Sequence, residues 1–121
     1  MDRLKFEQLV EKAIETLPEE FASRLDNVDI VVENQPTPLQ LEKVKAKQGY
    51  TIFGLYEGIP LTKRGAHYNM AMPDRITIFQ NSIEARYLKD DEIRFAIQNV
   101  VIHEIAHHFG ISDARLRELG R

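Results

Sequence analysis

The sequence predicts a small α+β domain, and three observations carry that reading. An N-terminal segment repeats its apolar residues at helical spacing. Three short runs rich in β-branched residues are separated by turns containing glycine and proline. A long segment near the C-terminus is apolar on nearly every side, as expected of a helix in the middle of a domain. The expected architecture is a small twisted sheet of three to four strands on that central helix, with the N-terminal helix as backing. At 121 residues the chain is read as one domain, residues 1–121. A chain of this size buries roughly two-thirds of its unfolded surface, so one modest core forms without staples.

In residues 2–17, Phe6, Leu9, Val10, Ala13, Ile14 and Leu17 fall at i, i+3, i+4 spacing with polar residues between them. That is a surface helix with one buried stripe. Pro18 ends it and suits the first turn of a short second helix over residues 19–25. Residues 28–33 are short and β-branched, a strand. Two prolines in residues 34–38 break structure. Residues 39–48 carry only a weak helical pattern and read as a solvated connection closed by Gly49. Residues 50–56 form a second strand, with Gly54 as a bulge. Residues 61–73 show no periodicity and read as a functional or mobile loop holding His67 and Tyr68. Residues 75–80 form a third strand. A short helix follows over residues 81–88. Asp90 or Asp91 then caps the long helix, which runs to Phe109. A last short helix covers residues 112–119.

Composition closes several routes. There is no cysteine, so there is no disulfide, thiolate nucleophile or thiolate metal site. Sixteen basic against 19 acidic residues, net −3, leave no footprint for nucleic acid. No apolar stretch approaches the length that crosses a bilayer. The N-terminus opens on a charged amphipathic segment rather than an apolar run with a cleavage site, which predicts a cytoplasmic location.

The chemistry concentrates in one stretch, His103-Glu-Ile-Ala-His107-His-Phe-Gly110-Ile-Ser-Asp113. On a helix, residues four apart lie about 40° apart around the axis and about 6 Å along it. His103 and His107 therefore stack on one face and can share a metal ion. Glu104 sits about 100° from His103, within reach of a water held there but poorly placed as a ligand. This is the division of labour in zinc hydrolysis: two imidazoles hold the ion and a carboxylate moves protons. Gly110 stops the helix cheaply in the left-handed conformation. The turn brings Asp113 back as third ligand, with Ser112 capping the helix that follows. With 4 His and 6 Gly in 121 residues, this pattern arises by chance roughly a few times in 100,000. His108 lies about 140° from His103, so it cannot join the same ion; it reads as a C-terminal cap or as packing beneath the site.

Five blocks extend the pattern beyond the motif: Leu17-Pro-Glu-Glu-Phe21, Asn27-Val28, Gly54-Leu-Tyr-Glu-Gly-Ile-Pro60, Pro73-Asp-Arg-Ile-Thr-Ile-Phe79, and Val101 through Asp113. Together they resemble a family of small bacterial proteins, the minimal single-domain zincin-like metallopeptidases, over nearly the whole chain. The resemblance implies a minimal zincin-like fold and a peptide or protein substrate. It implies zinc held by His103, His107 and Asp113, with Glu104 as general base. The chain lacks a methionine turn after the third ligand, since Met1, Met70 and Met72 all precede the motif.

The remaining polar residues carry weaker expectations. His67 and Tyr68 line a cleft or are ordinary loop residues. Arg75 and Arg115 pair with Asp113 or Glu104 as supporting groups. Tyr56 and Phe79 are core or strand residues. A substrate peptide pairs with residues 75–80 as an exposed sheet edge. Two other functions compete with peptide cleavage. One is zinc-dependent hydrolysis of a non-peptide substrate, against which Glu104 and the acidic balance argue. The other is an interaction or regulatory domain whose zinc is closed by a fourth protein ligand.

Overall fold

The computed structural model describes residues 1–45, 52–58 and 73–121. Helix α1 (Arg3–Glu15) starts where Asp2 accepts the Lys5 N–H at 2.8 Å. Its stripe of Phe6, Leu9, Val10 and Ala13 is buried, as the periodicity predicts. A short α2 (Glu19–Ala22) continues into a 3-10 turn (Ser23–Leu25). Asn27, in the left-handed region at φ 58°, then turns the chain into β1 (Val28–Glu33).

Helix α3 (Pro38–Lys45) replaces the expected solvated connection. Its start is a reciprocal cap. Thr37 Oγ1 accepts the Gln40 N–H at 3.1 Å, and Gln40 Oε1 accepts the Thr37 N–H at 3.0 Å. Pro38 follows Thr37 as a residue preset for the first turn. That signal lay in Thr37-Pro-Leu-Gln40, outweighed by the weak apolar pattern. Leu39 and Leu41 are exposed, so the helix is solvated all the same.

Strand β2 (Gly54–Glu57) is shorter than the expected run; Phe53 precedes it, and residues 50 and 51 lie outside those described. Strand β3 (Asp74–Phe79) leads directly into α4 (Gln80–Arg86). Helix α5 (Asp90–Phe109) is the long central helix, and α6 (Asp113–Glu118) closes the chain. The residue at the α5 N-cap is Lys89, whose N–H donates to the Glu92 carboxylate at 3.2 Å; Asp90 and Asp91 lie in the first turn instead.

The three described strands form one mixed sheet in the order β1-β3-β2, with β1 parallel and β2 antiparallel to β3. The expectation that residues 75–80 form an open edge is therefore wrong: β3 is central and paired on both sides. Strand propensity marks a strand but says nothing about its neighbours. The parallel β1–β3 pair places β2 on the far side of β3.

One face of the sheet, with Ile76 and Ile78, packs with α1 and α5 into the main core around Phe6, Phe21, Ile97, Val101 and Ile105. Gln98 enters this apolar contact and satisfies its amide there, donating to Ala13 O at 3.1 Å and Thr16 Oγ1 at 3.0 Å. Helix α5 is not buried all round, because Phe95 remains 56% exposed. Among the described residues no helix is long and apolar enough to cross a membrane.

Candidate functional site

The site is built where α5 presses against the outer side of β2. Gly54 makes that approach possible: a Cβ there would stand 2.3 Å from Val100 Cγ1 and 3.0 Å from Thr77 O. The Phe79 N–H bonds to Phe53 O at 2.9 Å. Alternation along the antiparallel pair then turns the backbone groups of Gly54 and Tyr56 away from β3. One turn of α5 beyond Val100, Glu104 meets that outward edge, and its Oε1 accepts the Tyr56 N–H at 2.7 Å. Glu104 is only 2% exposed. A buried carboxylate is costly unless hydrogen-bonded, and the strand edge supplies the donor.

His103 is half-buried and His107 exposed, one turn apart on α5. Burial pushes the His103 imidazole below its ordinary range; the charge of His107 adds to this and that of Asp113 opposes it. His103 thus favours the neutral form, the one that can ligate a metal. Helix α5 ends at Gly110, in the left-handed region at φ 72°, and the Ile111 N–H returns to Ala106 O at 2.8 Å. Ser112 Oγ accepts the Arg115 N–H at 3.1 Å and caps α6, which puts Asp113 in its first turn. The glycine stop and the serine cap are both where the sequence expects them. Among the described residues no three His, Asp or Glu side chains stand close enough together to hold a metal ion between them. The donor chemistry of His103, His107 and Asp113 suits zinc, and Asp113 is exposed, with room to turn.

A cavity of about 270 Å³ is lined by Tyr56, Glu104, His107 and His108. His108 lies in the last turn of α5 and packs into the wall of this cavity. Its ring stacks on Tyr56 with centroids 4.0 Å apart, and its Nε2 lies 3.9 Å from Asp74 Oδ2. The Tyr56 hydroxyl donates to the same carboxylate oxygen at 2.7 Å. Sequence reasoning missed Tyr56 and Asp74 as parts of this wall, because only strand pairing and the α5 approach bring them to His108. It also missed Asn99, one turn before His103 on the same helical side. Its Oδ1 is buried, with no hydrogen-bond partner among the described residues. The spacing from Asn99 to His103, four residues, was the available signal.

Arg115 is not a supporting group for the site. Its guanidinium bonds Glu20 and Glu118, each at 2.9 Å. Arg75 is exposed, and its charge acts on Glu57 of β2. Phe79 is core, as expected. His67 and Tyr68 lie outside the described residues.

A family model described as zincin-like metallopeptidase matches residues 25–121, from the end of the 3-10 turn to the C-terminus. No curated protein matches the chain.

Proposed function

Since the chain belongs to the zincin-like metallopeptidases, we propose that it is a zinc-dependent peptidase whose ion is held by His103, His107 and Asp113. The observation that carries this reading is the placement of Glu104. Its carboxylate is buried, fixed to the outward N–H of Tyr56 and open to the same cavity as His107. A zinc ion, when bound, supplies a Lewis acid for a scissile carbonyl and for water. The protein's own groups do the rest. Glu104 accepts a proton from the attacking water and returns it to the leaving amine. Tyr56 and His108, stacked and tied to Asp74, form the wall against which the substrate lies. Asn99, one turn before His103 with its Oδ1 buried and unpaired among the described residues, would accept the second ring N–H of His103 when the ion is bound.

The test pairs metal analysis with digestion of a peptide library. The protein purified with zinc should bind about one ion per chain and cleave peptides, and a chelator should stop cleavage. Glu104→Gln keeps the oxygen that accepts from Tyr56 and removes the base. It should retain zinc and lose turnover by about 100-fold or more. Zinc loss in that variant would mean that the glutamate holds the ion. The competing reading is an interaction or regulatory domain whose zinc takes no part in hydrolysis. Zinc binding with no cleavage would select it.

A further inference from the structure

The sheet has a second edge, on the side away from the candidate site. The Asp74 N–H bonds to Asn27 O at 3.2 Å, so the odd-numbered residues of β1 face β3. The backbone groups of Val28, Ile30 and Val32 therefore point out of the sheet. The last of these carbonyls is taken: Arg3 Nη1 donates to Val32 O at 2.8 Å. Among the described residues, the outward N–H and C=O of Val28 and Ile30 pair with no other backbone, a template for another strand.

Beside this edge, α1 and β1 enclose a groove of about 510 Å³. Its floor is apolar: Val10, Ile14 and Leu25, with the half-buried side chains of Val28, Ile30 and Val32. Its rim is acidic. Glu7, Glu11 and Glu15 project along it from successive turns of α1, all exposed and none in an ion pair among the described residues. Like charges four residues apart cost a helix a few tenths of a kcal/mol per pair, so a cationic neighbour would relieve them. Asp29 and Glu33 are exposed on the opposite face of the same edge strand, so the edge is acidic on both faces.

We propose that this edge and groove dock an extended, basic segment of a partner protein, which joins the sheet as a fourth strand beside β1. Spacing supports that occupant. Alternate residues of a strand are about 6.7 Å apart, and glutamates one helical turn apart are about 6 Å apart. Arginine or lysine at every second position lays its stem over the apolar floor and its charge against the rim. A second copy of this chain is the wrong occupant. Pairing β1 with β1 would bring two sets of Glu7, Glu11, Glu15, Asp29 and Glu33 to one seam.

The probe is the peptide fluoresceinyl-Gly-Arg-Val-Arg-Val-Arg-Val-Arg-amide, labelled at its N-terminal amine and titrated into the 121-residue chain at low salt. Saturable binding is expected, falling as salt rises. It should weaken about tenfold or more in the triple variant Glu7→Gln, Glu11→Gln, Glu15→Gln, whose exposed substitutions do not lower the thermal melt. Amide hydrogen exchange should show Val28 and Ile30 slowed by bound peptide. No binding at millimolar peptide overturns the proposal, as does equal binding of the Glu-for-Arg version of the peptide. Protection at Tyr56 in place of Ile30 puts the peptide in the candidate active site and also overturns it. So does a sedimenting dimer in which the β1 amides are already slow.

Discussion

Asn99 shows what one side chain contributes at the scale of single residues. A buried amide oxygen without a partner costs roughly 1–3 kcal/mol of lost solvation, so its position one turn from His103 calls for a donor. The proposed donor is the imidazole, which a metal ligand normally ties to an acceptor. Asn99→Ala should then lower zinc affinity by about 10- to 100-fold, measured by competition with a chromophoric chelator. Unchanged affinity would leave Asn99 without a part in the site. Gly54 is the second decisive residue. Gly54→Ala places a methyl group 2.3 Å from Val100 Cγ1 and should destabilise the fold by about 1–3 kcal/mol in urea unfolding. Adding Val100→Ala should restore most of that loss. If it does not, the clash is with the Thr77 carbonyl instead.

At the scale of elements, α6 is held to the body of the protein by Leu116 in the core, with the flanking Ile111 and Leu119 packed against it, and by Arg115 reaching Glu20 on α2. The hydrogen bond from Arg115 holds the Glu20 carboxyl below its ordinary 4.5, and the same partner raises the Arg115 guanidinium. The folded state therefore favours ionised Glu20. Its contribution is complete above about pH 4.5 and fades as pH falls through the lower folded value. Because both groups are exposed, the effect is small and weakened by salt. Limited proteolysis of the C-terminal helix should accelerate between pH 5 and 3, and Glu20→Gln should show the faster rate already at pH 7. A pH-independent rate would assign α6 docking to its apolar contacts, Leu116 foremost. Helix α3 belongs to this scale too. Its reciprocal cap was legible in Thr37 and Gln40, while its tether was not: Gln40 and Lys43 hold Glu57 of β2 at 2.9 and 2.7 Å across 17 and 14 residues.

At the scale of the whole molecule, the proposed ion would join the end of α5 to the start of α6 and so bind the folded state alone. Zinc at about 1,000 times its dissociation constant should then stabilise the protein by about 4 kcal/mol, seen as a higher Tm that a chelator reverses. An unchanged Tm with bound zinc would mean that binding is equally good in the unfolded chain.

The α+β class, the extent of β1, the buried stripe of α1, the glycine stop at Gly110 and the serine cap at Ser112 were all readable along the chain. Each is local: periodicity, β-branching, a left-handed position and a hydroxyl three residues from its donor act within one or two turns. Strand order was not readable, and with it went the expectation that β3 is an edge. The wall of Tyr56, Asp74 and His108, the hold of Glu104 on Tyr56 and the open side of β1 were equally hidden. Those depend on which segments pair across tens of residues. A strand's propensity is the same whether it ends up in the centre of a sheet or at its margin, and only packing against the other elements decides between the two.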